Sequence, residues 1–422
     1  MAAVTVVVAP LVGLGLLAAT SLVLLGWRAP KSAFIVWIVV GAGIPFWFAI
    51  PAGIVVPPLT AVSLPIILGL ALRIREWRVS LVDGLVLLLG VTAGAAIAGG
   101  AELASAKDAF LVWGSAYLAG RLFALNLDMA YFRRTYIVAG VIVSLWAIGE
   151  FALDLHVFEG AVGPVKDISF WNGIQERGPY SRSEAAFGHS ICLAAFLVTV
   201  VPFMLKSRRP IVGWIVLAGG IGCSLSRAGF IGLGAAVVLC LIAYGMNRRL
   251  FITAVLAAGG AMAFAPDILF GADEAAAQQI GWSTNYRQYL WETGFGEIDW
   301  IGRSDFYFRT VDLAFLRVGL DLGWIPMVIF TVLALIPLLR VVLQRTGEPS
   351  EIAVAATFPI LLTVALLTQW QSFLFMLGGV AVTAAVLAKE DLQEQDKPSS
   401  KVDLATAYKQ LAPRFTQKYE ST

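Results

Sequence analysis

Apolar residues fill long unbroken runs from Val4 to about Ala388, and short charged stretches separate them. A membrane-spanning helix needs about 20 apolar residues, whereas barrel strands alternate apolar and polar positions. The continuous runs therefore predict helices and argue against a barrel. Thirteen are expected, near residues 4–26, 33–50, 60–72, 81–98, 109–126, 135–153, 187–205, 211–225, 229–246, 250–265, 313–339, 352–369 and 373–388. Pro45, Pro51, Pro57, Pro58 and Pro65 interrupt the second and third, which read alternatively as one broken helix and a count of twelve. The expected fold is an all-α polytopic transmembrane helix bundle of about 12–13 helices. It comprises a single transmembrane domain over residues 1–388 and a polar tail over 389–422. Two long outer loops are expected, near 154–186 and 266–312, the larger containing short interfacial helices.

Composition narrows the class. Of the 422 residues, 59% are hydrophobic and 14% charged, against about 25% charged in soluble domains, which excludes a water-soluble enzyme. Disorder, collagen and coiled coil fall as well, because apolar residues dominate without a heptad. Cys192, Cys223 and Cys240 sit inside apolar runs and read as small hydrophobes. With only His156 and His189 and no Cys/His cluster, a zinc centre is not expected. Glu150, Asp154 and His156 offer too few ligands for a divalent cation. No metal, no cofactor and no nucleic-acid partner are predicted. The first run has no basic residue ahead of it and exceeds a signal-peptide core, so it reads as a retained helix.

Charge then sets topology. Lysine and arginine total thirty, and twenty-one fall in one alternate set of loops, including the tail. The positive-inside rule puts that set in the cytoplasm. The N-terminus is then outside and the C-terminus cytoplasmic. The nine remaining cations lie on the translocated side, against the insertion bias. Seven are arginines, Arg177, Arg182, Arg227, Arg287, Arg303, Arg309 and Arg317, all within residues 177–317; the other two are Lys107 and Lys166. Arginine is a planar five-donor fork suited to phosphate, while lysine is a point charge. Aromatic residues accompany the arginines (Phe170, Trp171, Tyr180, Tyr286, Trp291, Trp300, Tyr307). The combination predicts an anionic substrate at the outer leaflet; single arginines paired with outer acids or lipid headgroups are the plain alternative.

Arg227 is the most informative. It occupies the short hinge Cys223-Ser224-Leu225-Ser226-Arg227-Ala228-Gly229-Phe230 between two apolar runs. A charge so close to hydrocarbon is costly unless it faces a polar cavity or partner; snorkelling to the headgroups is the competing account. A second cluster opens the helix near residue 313, where Asp312 follows Arg309 by three and Asp321 follows Arg317 by four. Arg317 and Asp321 read as a structural pair. Asp312 among arginines suits a general base or an acceptor-orienting group, and equally a helix cap. The third cluster joins Glu176-Arg177-Gly178-Pro179-Tyr180-Ser181-Arg182 to Phe187-Gly188-His189-Ser190-Ile191 and makes His189 a candidate substrate contact.

In this order the pieces resemble the O-antigen ligase and O-antigen polymerase superfamily of membrane glycosyltransferases. Phe187-Gly188-His189-Ser190 is similar to that family's aromatic-x-His-Pro-Asn stretch, with Ser190 in place of proline. Ser226-Arg227-Ala228-Gly229-Phe230-Ile231-Gly232-Leu233 resembles its Ser-Arg-small-x-aromatic-x-Gly-Leu segment. Asn285-Tyr286-Arg287-Gln288-Tyr289-Leu290-Trp291 is similar to the Arg-x-x-x-Trp start of its large outer loop. The stretch from Asp312 to Trp324 resembles the segment where that loop re-enters the membrane. Asp312 stands where ligases have histidine, and Leu313 where asparagine is usual. The resemblance spans roughly residues 170–335. It implies a metal-independent, inverting transfer of a glycan from a polyprenyl-diphosphate carrier to a hydroxyl of a glycan or lipid-glycan acceptor, at the outer face among membrane lipids. Arg227 and Asp312 would be catalytic, and Arg177, Arg182, His189, Arg287, Arg309 and Arg317 would bind substrate. A lipid-linked glycan flippase or other transporter is the rival class. It needs charge along its whole transit path, whereas the runs after Ile191, Phe230 and Val328 are uncharged through their middles. No internal repeat supports a transporter.

Overall fold

The computed structural model describes residues 2–51, 54–74, 77–165, 168–177, 180–205, 210–245, 285–304, 311, 313–366 and 368–395. The chain is an all-α polytopic membrane bundle. Five described helices are long and apolar enough to cross a bilayer, and shorter apolar helices pack among them. Its early elements are α1 (Ala2–Arg28), α2 (Pro30–Gly43), α3 (Pro58–Ala71), α4 (Leu81–Ala96) and α5 (Leu103–Lys107). A π-turn over Asp108–Trp113 carries α5 into α6 (Gly114–Asn126); α7 (Met129–Leu153), α8 (Ser190–Leu205), α9 (Pro210–Cys223) and α10 (Arg227–Tyr244) follow.

These helices agree with the apolar runs to within a few residues, except that the second run is shortened. Ile44 is extended (φ −118°, ψ 120°) ahead of Pro45, which disfavours helix in the residue before it, so α2 ends at Gly43. A two-residue hairpin, β1 (Ile50–Pro51) on β2 (Val55–Val56), then turns the chain into α3. The second and third runs are thus separate helices rather than one broken one. Their basic flanks meet at one end of the bundle. Arg73 donates to Trp27 O (2.5 Å) and to Asn126 Oδ1 (3.2 Å), and Tyr131 donates to Lys31 O (3.3 Å). Gly26 and Gly69 let α1 and α3 touch, since a Cβ on Gly69 would stand 2.1 Å from Val23 O.

The same end anchors charges that would otherwise be costly to bury. Arg121, 2% exposed, donates to Asp83 Oδ2 (3.1 Å), Arg78 O (2.6 Å) and Thr383 Oγ1 (3.0 Å), and Tyr117 also donates to Asp83 (2.6 Å). The core centres on α8, whose residues from Cys192 to Met204 are all buried among α7, α9 and α10. Outward faces carry Val39, Leu68, Leu87, Ile142, Val238 and Val328, an apolar surface suited to lipid rather than water.

Beyond the outer segment the elements are α11 (285–293) with a 3₁₀ turn at Gly294–Glu297, α12 (Ala314–Leu322), α13 (Trp324–Gln344), α14 (Pro349–Ala356), α15 (Phe358–Leu361) and α16 (Trp370–Gln395). Two expectations change here. The run 313–339 is two helices, because Gly323 adopts φ +104° and a Cβ there would meet Ile301 Cα at 2.7 Å. The run 352–369 ends its helix at Leu361, leaving most of 362–369 irregular. The helix expected at 250–265 and the tail from 396 lie outside the described residues. The chain to Thr383 forms one compact unit; from Ala384 on, only the end of α16 is described.

Candidate functional site: an arginine-lined chamber

At the end of the bundle opposite the basic loops, the chain folds its sparse charges inward. The segment between α7 and α8 forms a small hairpin, β3 (Glu176–Arg177) on β4 (Tyr180–Ser181), with Arg177 paired to Tyr180. Arg182 N donates to Gln175 O (2.8 Å), and Ser183 N to Cys223 O (3.1 Å), which docks the hairpin on the hinge between α9 and α10. The hinge itself is bent. Leu225 has φ +47°, and its carbonyl accepts from Arg177 Nη1. Arg182 Nε donates to Ser224 O (3.2 Å) and its Nη1 to Gln175 Oε1 (3.3 Å); that oxygen also accepts from Ser190 Oγ (3.1 Å). Ser226 caps α10 by accepting from Gly229 N at 3.2 Å.

Arg227, the first residue of α10, completes the ring. A cavity of about 330 Å³ is lined by Arg177, Arg182, Arg227 and Arg287, with Glu176 the one carboxylate on its wall among the described residues. Neither Arg177 nor Arg182 forms an ion pair among the described residues. Burial, joined by the guanidinium of Arg227, pushes Arg177 down to about 10. Burial together with Arg177 and Arg227 brings Arg182 to about 10 as well, Glu184 opposing the shift. Both remain cations at neutral pH, crowded and desolvated. The N-terminus of α10 adds its positive end to the same space. An anion entering the chamber meets planar donors and relieves their mutual repulsion.

Of the other proposed residues, His189 lies beside the chamber without lining it. Its Nδ1 accepts from Ile191 N (3.2 Å), and burial, reinforced by Arg182, pushes its pKa down to about 3. A neutral imidazole in this position is held by the loop backbone. Arg317 goes elsewhere: its Nε meets Asp321 Oδ2 at 2.5 Å, and both line a different cavity. Asp312 and Arg309 lie outside the described residues. Glu150, weighed above as a cation ligand, spends Oε2 on Glu184 N (3.1 Å) and Ala185 N (2.8 Å).

Sequence reasoning passed over Gln175 and Glu184. Glu184 is buried, and burial raises its pKa to about 8, Glu150 adding to the shift. An acid two residues from Arg182, within the outer loop expected near 154–186, was the signal available. Backbone strain marks the same region. Ala185 (φ +48°), Gly188 (φ +61°) and Leu225 all adopt left-handed conformations, and a Cβ on Gly188 would stand 2.1 Å from the Trp47 ring. No family model, curated protein or solved structure matches the chain.

Proposed function

We propose that the protein is a membrane glycosyltransferase that moves a glycan from a polyprenyl-diphosphate carrier to an acceptor hydroxyl, at the outer face of the plasma membrane. The observation that carries this reading is the convergence of four arginines from three separate segments on one chamber. In the proposed reaction the acceptor oxygen bonds to the anomeric carbon as the bond from that carbon to the diphosphate oxygen breaks. The hydroxyl proton passes to a base, and the lipid diphosphate leaves with increased negative charge. Preorganised guanidinium groups stabilise that charge as a bound cation would, so the chemistry needs no metal. Arg177 and Arg227 clamp the diphosphate, Arg182 and Arg287 complete the ring, and Asp312 orients or deprotonates the acceptor. Attack opposite the leaving group inverts the anomeric centre. The short motifs that resemble those of the O-antigen ligase and polymerase superfamily point the same way, with polymerase and ligase differing only in the acceptor.

The test is direct. Purified protein is mixed with a polyprenyl-diphosphate-linked oligosaccharide and a glycan or lipid-glycan acceptor, and free polyprenyl diphosphate is measured. A transferase releases it, whereas a flippase releases none. Arg227→Ala that inserts normally and keeps full transfer activity would defeat the assignment.

A further inference from the structure

A second cavity at the same end of the bundle has the opposite chemistry. It encloses about 340 Å³, within the range of small-molecule sites, about 300–1,000 Å³. Among the described residues its two cations each have a carboxylate partner. Lys107 Nζ meets Asp108 Oδ1 (3.0 Å) and donates to Val55 O (2.9 Å), while Arg317 is held by Asp321. The carboxylates keep acceptor capacity and remain partly accessible, Asp108 at 38% and Asp321 at 24% side-chain exposure. Aromatic rings line the same walls: Trp171, set edge-to-face on Phe46 at 5.0 Å, and Trp113.

Two amides complete the lining. Gln371 accepts from Trp113 Nε1 (2.7 Å), which leaves its amide donors available. Gln369 is 4% exposed; its Nε2 donates to Ala186 O (2.6 Å), while its Oε1 has no partner among the described residues. A buried amide oxygen without a donor costs free energy unless a ligand or water supplies one. Balanced charge, carboxylate and amide acceptors, and flat aromatic walls suit one ligand class. A neutral sugar presents hydroxyl donors at its edge and C–H groups on its faces. Among the described residues an anion finds no cation there without a carboxylate partner.

We infer that this cavity binds an uncharged sugar, the terminal residue of the acceptor glycan. That the sugar is the acceptor rests on the transferase reading, whereas its binding does not. The two cavities are tied together: Thr363 lines the arginine chamber, Thr368 and Gln369 line the sugar cavity, and Gln369 is fastened to the loop that carries Arg182.

The experiment is saturation-transfer-difference NMR on the full chain in nanodiscs. The probes are glucose, galactose, mannose and N-acetylglucosamine, with glucuronate as the charged comparison. Inorganic pyrophosphate binding is measured on the same samples. At least one neutral sugar should give saturation transfer, and glucuronate none. Trp171→Ala and Asp108→Asn, one in a loop and one isosteric, should each weaken binding about tenfold, the loss of a stacking face or of one hydrogen bond to a charged group. Arg177→Gln should leave sugar binding unchanged. No transfer to any neutral sugar, a signal indifferent to both variants, or preferential binding of glucuronate would overturn the inference. Pyrophosphate binding without sugar binding sinks this site alone. Sugar binding without pyrophosphate binding keeps this site and sinks the transferase reading.

Discussion

Replacing Arg177 by glutamine separates a ligand-binding arginine from a structural one, because the two roles predict opposite balances. Arg177 lines the chamber, has no ion pair among the described residues, and spends one donor on Leu225 O. Crowding and burial set its folded pKa at about 10, below the ordinary 12.5. A cation whose pKa falls on folding opposes folding while it is charged in both states. That opposition fades only as the pH rises from about 10 to 12.5. Removing the charge therefore relieves the fold, while the lost bond from the guanidinium to Leu225 O costs about 1.5–3 kcal/mol. Thermal stability should stay level or rise. Binding should move the other way. A hydrogen bond to a charged group contributes about 1.5–3 kcal/mol, so pyrophosphate affinity should fall about 10- to 150-fold. Titration calorimetry with pyrophosphate at fixed salt, alongside thermal unfolding of the same nanodisc sample, measures both. An unchanged dissociation constant, or a large loss of stability, would refute the reasoning.

Three further outcomes follow from the structure. Asp83→Asn strands the buried Arg121 guanidinium beside a neutral amide, which should cost about 3–5 kcal/mol and lower the unfolding temperature markedly. Gly69→Ala places a Cβ against the α1 backbone, and overpacking of about 1–3 kcal/mol should show as reduced monodisperse yield on size-exclusion chromatography. Stability against pH should carry two opposed slopes. The Glu184 carboxyl, raised to about 8, contributes stability below about 4.5 that is lost as the pH climbs through 8. His189, depressed to about 3, contributes stability above 6.5 that is lost as the pH falls toward 3. In unfolding scans from pH 5 to 9, only the Glu184 slope acts from about pH 6.5 to 8, so Glu184→Gln should flatten the fall there. From pH 5 to 6.5 the two slopes nearly cancel, so His189→Gln should expose a fall with rising pH. Unchanged profiles in both variants would contradict these shifts.

Much of this architecture was legible in the chain before any folding, for a simple physical reason. Hydrocarbon leaves a segment little choice: about 20 apolar residues with internally paired backbone form a helix whatever their neighbours are. Charged residues gather where water can reach them. Apolar runs and the alternation of basic loops thus located the helices and the two ends. The arginines stood out because they ran against that bias. Helix interruptions were harder to read. Gly323 and the stretch after Leu361 break continuous apolar sequence through backbone conformations that hydropathy does not register.

Grouping belonged to the tertiary structure. Arg177 and Arg317 looked alike as outer arginines, yet one meets Arg182, Arg227 and Arg287 around a chamber, while the other is neutralised by Asp321 four residues along. In Thr368-Gln369-Trp370-Gln371-Ser372 the first two residues close the run expected at 352–369 and the other three fall in the gap before the next. The stretch became the wall of a cavity once Lys107, Asp108 and Trp171 were brought to it from distant parts of the chain. Periodicity and charge act locally, so one strand of sequence reveals them. A binding site is a meeting of segments far apart along the chain, and only the packing of helices on one another decides which of them meet.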